Sequence, residues 1–314
     1  MHSKPALVTA AKSTSRAAGE QRGLGLMVAG GLLLGTLGVF VQEAAQHPLV
    51  TVWFRCALGA LVLFLWCAAT GNLKGLHLQG RRLGVVCVMG CLMVLNWALF
   101  FAAIPRTSMA VATVVFHIQP IWVIVFGALF LRERVSRGQW MATPVALCGL
   151  ALTTGLLDNL TLSRAAHSDH ALGLLLCLGG SLSYAAVTLL AKTQQGIAPL
   201  TLAFWQCAVG SLVLVWAPWV FGWPQQPGTW AWLAGLGVLH TGLAYVLLFA
   251  GMARLPLGTI AVLQFVYPLA AVLFDWGLYG TRLSPTQFAG MALMGASVWS
   301  IVKSRGAAQS ALAD

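Results

Sequence analysis

Charge is what this sequence has least of. Asp, Glu, Lys and Arg together make up 8% of the 314 residues, against about 25% in soluble domains. Residues 83–105, 107–131 and 138–157 contain none of the four. That scarcity excludes a pair of soluble domains, because so much apolar surface exceeds what soluble cores can bury. Acids are scarcest, 7 against 18 Lys and Arg, giving a net charge of +11. No basic stripe with interleaved aromatics lies outside the apolar stretches, which excludes nucleic acid as a partner. None of the seven cysteines, Cys56, Cys67, Cys87, Cys91, Cys148, Cys177 and Cys207, falls between apolar runs, so no disulfide framework is expected. Cys87 and Cys91 lie one helical turn apart without a His or acid at ligand spacing. No metal site and no cofactor are expected, and all seven cysteines read as small buried hydrophobes.

Long apolar runs dominate instead, with 59% hydrophobic residues and a mean hydropathy of +0.84. A helix needs about 20 mainly apolar residues to cross the hydrocarbon core. Ten runs meet that need, at about 24–41, 49–70, 83–103, 108–131, 138–157, 170–191, 199–221, 228–252, 256–279 and 284–302. They are too uniformly apolar for barrel strands, which alternate over about ten residues. The expected fold is an all-α membrane protein of ten transmembrane helices. The first run is too long for a signal peptide. It reads as an uncleaved helix after a disordered tail over 1–23, with a second tail over 304–314. Placing both tails in the cytoplasm puts fourteen of the eighteen Lys and Arg on that side. Only Arg106, Arg164 and Arg282 then face the other side, a bias that favours both termini inside the inner membrane.

The two halves resemble each other. Pro120 and Pro268 match at an offset of 148, as do Arg106 with Arg254, Arg134 with Arg282 and Gln139 with Gln287. Upstream, Arg55-Cys56-Ala57-Leu58-Gly59 matches Gln206-Cys207-Ala208-Val209-Gly210. This divides the chain into repeats over 24–157 and 170–303. Each holds five spans, so the second crosses the membrane in the opposite sense. Inverted repeats of this kind mark secondary carriers with a site near the midplane.

Several stretches resemble the EamA branch of the drug/metabolite transporter superfamily, over residues from about 24 to 303. The most telling runs from Gln119-Pro120-Ile121 through Leu129-Phe130-Leu131-Arg132-Glu133-Arg134-Val135-Ser136 to Gln139. It is similar to the family's proline in the fourth helix followed by Leu-x-Glu-Arg-x-Ser. Arg55 matches an arginine usual in the second helix. Leu34-Gly35-Thr36 looks like a Trp-Gly-Ser variant without the Trp. The second repeat keeps Pro268 and Arg282, but Thr281 stands where the family has an acid. The resemblance implies ten helices, cytoplasmic termini and alternating-access movement of amino acids or other metabolites, often outward.

Polar residues inside hydrocarbon are costly and mark functional candidates. Asn96, Trp97, His117, Gln119, Tyr184, His240, Tyr245, Gln264 and Tyr267 fall at similar depth in five spans. They are expected to wall a polar, aromatic-rimmed cavity that binds substrate. Thr241 neighbours His240 at the same depth. Pro120 and Pro268 are expected to free the carbonyls of Phe116 and Gln264, as hinges or as static kinks. Arg55 either attracts an anionic substrate group or snorkels outward to pair with Glu43. The groups available for proton coupling are Asp275, near the outer end of the ninth span, and His117 and His240. Close helix contacts are expected at Gly31-x-x-x-Gly35 and at Ala292-x-x-x-Ala296.

The reading is a secondary carrier, an exporter of small metabolites such as amino acids. Its partners are the metabolite and the lipid bilayer. Oligomeric state is left open. The alternatives are a membrane-embedded transferase and a channel-like scaffold. A transferase finds only Glu133 and the loose loop group Asp158, His167, Asp169 and His170 to work with, and no nucleophile elbow or phosphate loop.

Overall fold

The structure, a computed structural model, describes residues 4–107, 109–154, 167–194, 196–280 and 283–310. Asp158, Arg164, Thr281 and Arg282 lie outside the described residues. Every regular element among the described residues is helical. Among the described residues seven helical stretches are long and apolar enough to cross a membrane: Ala18–Ala44, Pro48–Ala69, Gly80–Arg106, Val111–Phe130, Asp169–Thr193, Pro227–Met252 and Leu257–Leu278. In lipid, only such internally bonded segments leave no backbone group unsatisfied.

In chain order the helices are α1 (Lys4–Gly35), α2 (Leu37–Ala44), α3 (Pro48–Ala69), α4 (Gly80–Ala103), α5 (Met109–Phe116) and α6 (Gln119–Phe130). Then come α7 (Arg137–Thr153), α8 (His167–Thr193), α9 (Pro199–Val213), α10 (Ala217–Phe221) and α11 (Pro227–Gly235). A π-helical stretch, Leu236–Leu243, joins α11 to α12 (Ala244–Met252). Last are α13 (Leu257–Leu263), α14 (Val266–Tyr279) and α15 (Pro285–Ser310). Proline opens α3, α9, α11 and α15, where its missing N–H is no loss. Ser136 and Gln139 form a reciprocal capping box at the start of α7: the Ser136 N–H donates to Gln139 Oε1 at 2.9 Å and the Gln139 N–H to Ser136 Oγ at 3.3 Å. Ser284 and Gln287 repeat it before α15, at 2.8 and 3.3 Å.

The tails differ from expectation. Helix α1 begins at Lys4 and α15 runs to Ser310, so much of 1–23 and 304–314 is helical rather than disordered. Both tails are rich in Ala, the strongest helix former. The adjoining spans have already met the cost of nucleation, so each added residue gains a hydrogen bond.

Interior and exterior are both apolar. Met27, Met89, Ile124, Leu257 and Leu263 are buried in the main core. Leu65, Phe130, Met141, Leu212, Trp219 and Trp299 face outward, as a lipid-exposed surface requires. Cys56, Cys67, Cys177 and Cys207 are buried, but Cys91 and Cys148 are exposed and Cys87 is half-buried. Those three therefore depart from the expected burial; lipid is as good a solvent for a thiol as the core.

Without a hydrophobic drive between helices in lipid, association depends on close packing. Gly31 and Gly35 do bring α1 against Val266 and Ala270 of α14. The tenth span works differently. Ala292 and Ala296 are exposed, and the close contact is between Gly149 of α7 and Gly290 of α15. A β-carbon on Gly149 would lie 2.6 Å from the Gly290 carbonyl oxygen. Gly149→Leu is therefore expected to destabilise the protein by about 1–3 kcal/mol or more through overpacking. Gly84→Ala, on an open face of α4, is expected to be neutral or slightly stabilising. Thermal unfolding in detergent checks both.

Candidate functional site

Two helices break in mid-course. Pro120 has no N–H to give the Phe116 carbonyl, and Pro268 none for that of Gln264. The chain tightens at each break: Ile118 N–H bonds to Val115 O at 3.2 Å, and Phe265 N–H to Val262 O at 3.1 Å. The breaks bring Gln119 and Gln264 together. Gln119 Nε2 donates to Gln264 Oε1, and Gln264 Nε2 donates to Thr188 Oγ1 on α8 at 3.4 Å. The Thr188 hydroxyl in turn donates to the Tyr184 carbonyl at 3.1 Å. One polar line thus joins the two halves of the chain. Beside it, His117 Nδ1 lies 2.7 Å from the Thr113 carbonyl. A carbonyl only accepts, so the proton is on Nδ1 and, in the neutral ring, Nε2 is left as an acceptor. The His117 ring stacks on Tyr267 at 6.3 Å.

A third irregularity was not anticipated from the pattern. Leu236–Leu243 is π-helical, a form found often at functional sites. Thr241 Oγ1 bonds back to the Leu236 carbonyl at 3.0 Å. Gly237 allows α3 to approach, since a β-carbon there would sit 2.5 Å from that of Leu58. Arg55, one turn earlier on α3, is consequently buried and donates from Nε to Thr241 Oγ1 at 3.1 Å. Its guanidinium lies 5.3 Å from the centre of the Trp97 ring, a cation–π contact. The outward snorkel toward Glu43 is therefore not adopted; Glu43 is exposed on α2. His240, buried, pairs through Nε2 with Thr36 Oγ1 at 2.8 Å and packs edge-on against Phe40 at 4.6 Å.

Tyr184 and Tyr245 border one small cavity together with Thr188 and Gln206. Its free volume is about 10 Å³, the room of roughly one water, so the centre is closed in this conformation. Asn96 is buried, with Nδ2 donating to Met93 Sδ at 3.4 Å. Asp275 does not join this set: it is exposed on α14, beside exposed Trp276, because that face of the helix turns away from the core. Thr36, Thr188 and Gln206 are interior polar groups that the sequence reading did not single out. Gln206 carried a signal, its match to Arg55. Among the described residues no cluster of His, Cys, Asp or Glu is placed to hold a metal.

One end of the bundle holds a vestibule of about 620 Å³, lined by Glu20, Glu133, Arg134, Lys192, Arg254 and Pro256 among others. Arg132 ends α6 in the left-handed region at φ 52°, with the Glu133 N–H bonding to the Gly127 carbonyl at 3.2 Å. This turn carries the Glu133 carboxylate to the start of α13, where it accepts from Leu257 N–H at 2.7 Å. Lys192 lies 3.9 Å from the same carboxylate. It donates to the carbonyls of Met252, at 3.4 Å, and Leu255. The pair clamps the turn between α12 and α13. Arg106 and Asp169 also pair at 3.9 Å, but with the acid largely exposed.

Apolar helices long enough to cross a membrane, packed around a line of buried polar groups, define a multi-pass membrane protein, and the family match makes it a transporter. The signature of the EamA-like transporter family matches residues 21–155 and 171–303, and the chain belongs to that family, within the drug/metabolite transporter superfamily. It is 28% identical over 277 residues to the uncharacterized transporter YxxF of Bacillus subtilis, covering 85% of this chain and 87% of that one. It is 27% identical over 251 residues to the pseudopaline exporter CntI of Pseudomonas aeruginosa, covering 78% and 83%. A solved crystal structure superposes with a TM-score of 0.77 at 17% identity, covering 89% of this chain and 96% of the other; this likeness concerns the fold.

The clamp makes a stability prediction. Glu133→Ala leaves the Leu257 N–H without its acceptor and removes the carboxylate paired with Lys192, and is expected to cost about 1–3 kcal/mol. Glu133→Gln keeps an acceptor oxygen and should cost less. Chemical denaturation of purified protein in detergent compares the two.

Proposed function

We propose that the chain is a secondary carrier that exports a small metabolite, such as an amino acid or related compound, by alternating access. In this reading ten helices form two inverted five-helix repeats in the inner membrane, with both termini cytoplasmic. Gln119, His117, Gln264 and Tyr267 are the central site, walled by Asn96, Trp97, Tyr184, His240 and Tyr245. The observation that carries this is the direct bond between Gln119 and Gln264, made where both helices break. Broken helices are tolerated at membrane depth where they line a cavity or lie buried in protein. The two capping boxes, at Ser136 and Ser284 with the repeat's own offset, support the internal symmetry. The gathering of Glu133, Arg134, Lys192 and Arg254 at one end supports the assignment of that end to the cytoplasm, where cations collect. The outward direction draws on the printed name of CntI as an exporter. Pro120 and Pro268 serve as hinges, and His117 and His240 are the interior groups suited to proton coupling.

A metabolite entering the centre loses water, and the amides replace its hydrogen bonds while the rings supply stacking. Losing one such bond costs about 0.5–1.5 kcal/mol, roughly a threefold to tenfold loss of affinity. Gln119→Leu and Gln264→Leu are each expected to lower substrate affinity and liposome transport by that factor with expression retained. The screen uses labelled amino acids and related metabolites, with and without a pH gradient. Transport unchanged in Gln119→Leu, Gln264→Leu, His117→Ala and Tyr267→Phe would exclude this site.

Topology is a separate test. On a cysteine-free background, single cysteines at Gln46 and Gln226 should react with an impermeant reagent from outside. One at Gly75 should be protected in intact cells, and its labelling there would reverse the orientation.

A further inference from the structure

The vestibule and the closed central cavity are neighbours. Thr188 borders the cavity, and Lys192, one turn further along α8, lines the vestibule. Met252 also borders the cavity, and its carbonyl accepts from Lys192 Nζ at 3.4 Å. Leu255, buried beneath the vestibule, gives Lys192 a second carbonyl. The floor between the two spaces is thus the end of α12 and the turn after it, held by Lys192 from α8. Glu133 ties that floor to the first half of the chain. Its carboxylate accepts from Leu257 N–H at 2.7 Å and lies 3.9 Å from Lys192. Opening the centre toward the vestibule must part Glu133 from both.

The repeat's offset places a matching set of residues at the opposite end, and their local packing is alike. Arg254 Nη1 donates to the Ala250 carbonyl at 2.5 Å, and Arg106 Nη1 to that of Ala102 at 2.7 Å. A β-carbon on Gly23 would sit 2.9 Å from that of Arg254, and one on Gly173 2.9 Å from that of Arg106. The clamp breaks the likeness. At the offset of 148 the sequence has Thr281 where Glu133 stands. The stretch that matches Lys192, Val41-Gln42-Glu43-Ala44, holds no Lys or Arg. The Arg106–Asp169 pair at that end has a largely exposed acid, and exposed pairs hold little. The Lys192 and Glu133 side chains are only 11% and 25% exposed. We propose that Glu133 and Lys192 form a latch on the vestibule end, and that the empty carrier therefore rests with its centre shut from the vestibule and opens first on the opposite side. This rests on the reading of the chain as an alternating-access carrier with inverted repeats.

The test uses the full-length chain, free of native cysteines and carrying Thr188→Cys, in right-side-out and inverted membrane vesicles without added solute. An impermeant maleimide reports which face of the membrane water reaches the centre from. With the latch intact, labelling should be at least about tenfold faster from the face opposite the vestibule, the scale of one charge-assisted hydrogen bond. Lys192→Met and Glu133→Gln should each raise the rate from the vestibule face and lower it from the other, because a released latch shifts a population. A fold that had merely loosened would raise both. Asp169→Asn should leave the ratio within about twofold, as befits an exposed pair. Faster labelling from the vestibule face with the latch intact overturns the proposal, and so does labelling from neither face. A ratio unchanged in either latch variant, a rise on both faces, or an equal shift in Asp169→Asn overturns it too. The underlying reading fails separately: if the ratio shifts as expected but no solute is carried in liposomes, the latch stands and the carrier does not. Which face holds the vestibule is fixed by the cysteine at Gly75, independently of the latch.

Discussion

Every backbone N–H and C=O placed in hydrocarbon must find a partner within the protein, and most of this structure follows from how that is met. Where a helix is intact the partner is four residues away. Where it breaks, at Gln119, at Gln264 and along Leu236–Leu243, other groups must stand in. Thr241 answers the Leu236 carbonyl, and the tightened turns at Ile118 and Phe265 recover bonds near the prolines. At these breaks Gln119, Gln264, His240 and Thr241 turn inward, and they are the polar side chains that can meet a solute.

The same constraint explains what could be read in advance. Apolar runs and Lys/Arg bias outlined the spans because lipid penalises charge so heavily. Pro120 and Pro268 announced their breaks because proline has no N–H. The π-helical stretch had no such announcement: Leu-Gly-Val-Leu-His-Thr-Gly-Leu is compatible with an ordinary helix, and only the approach of α3 across Gly237 shows why it widens there. Arg55 was legible as important but not as buried, since a long side chain near a helix end can turn either way. The contact across Gly149 and Gly290 was hidden because small residues abound, and Ala292 and Ala296 fitted the pattern equally well.

Polar partners also divide the molecule into parts that differ in how firmly they are held. The Gln119–Gln264–Thr188 line crosses between halves through neutral amides and a hydroxyl, groups that can exchange one partner for another at modest cost. The Glu133–Lys192 clamp joins opposite charges to helix ends, binding carbonyls at the finish of α12 and an amide at the start of α13. It rests on a left-handed Arg132, a conformation that costs a non-glycine residue something to hold.

Helices α7 and α15 meet with carbonyl oxygen against glycine, the Met294 side chain packed close beside the contact. Such a seam has no lubricant. Sliding by even part of a turn would drive a neighbouring side chain into the facing backbone, so the pair behaves as a stator. Any rearrangement that opens the centre must then be taken up by the broken helices, which are the compliant members of the frame. The position of two glycines therefore decides which parts of this membrane protein are free to move.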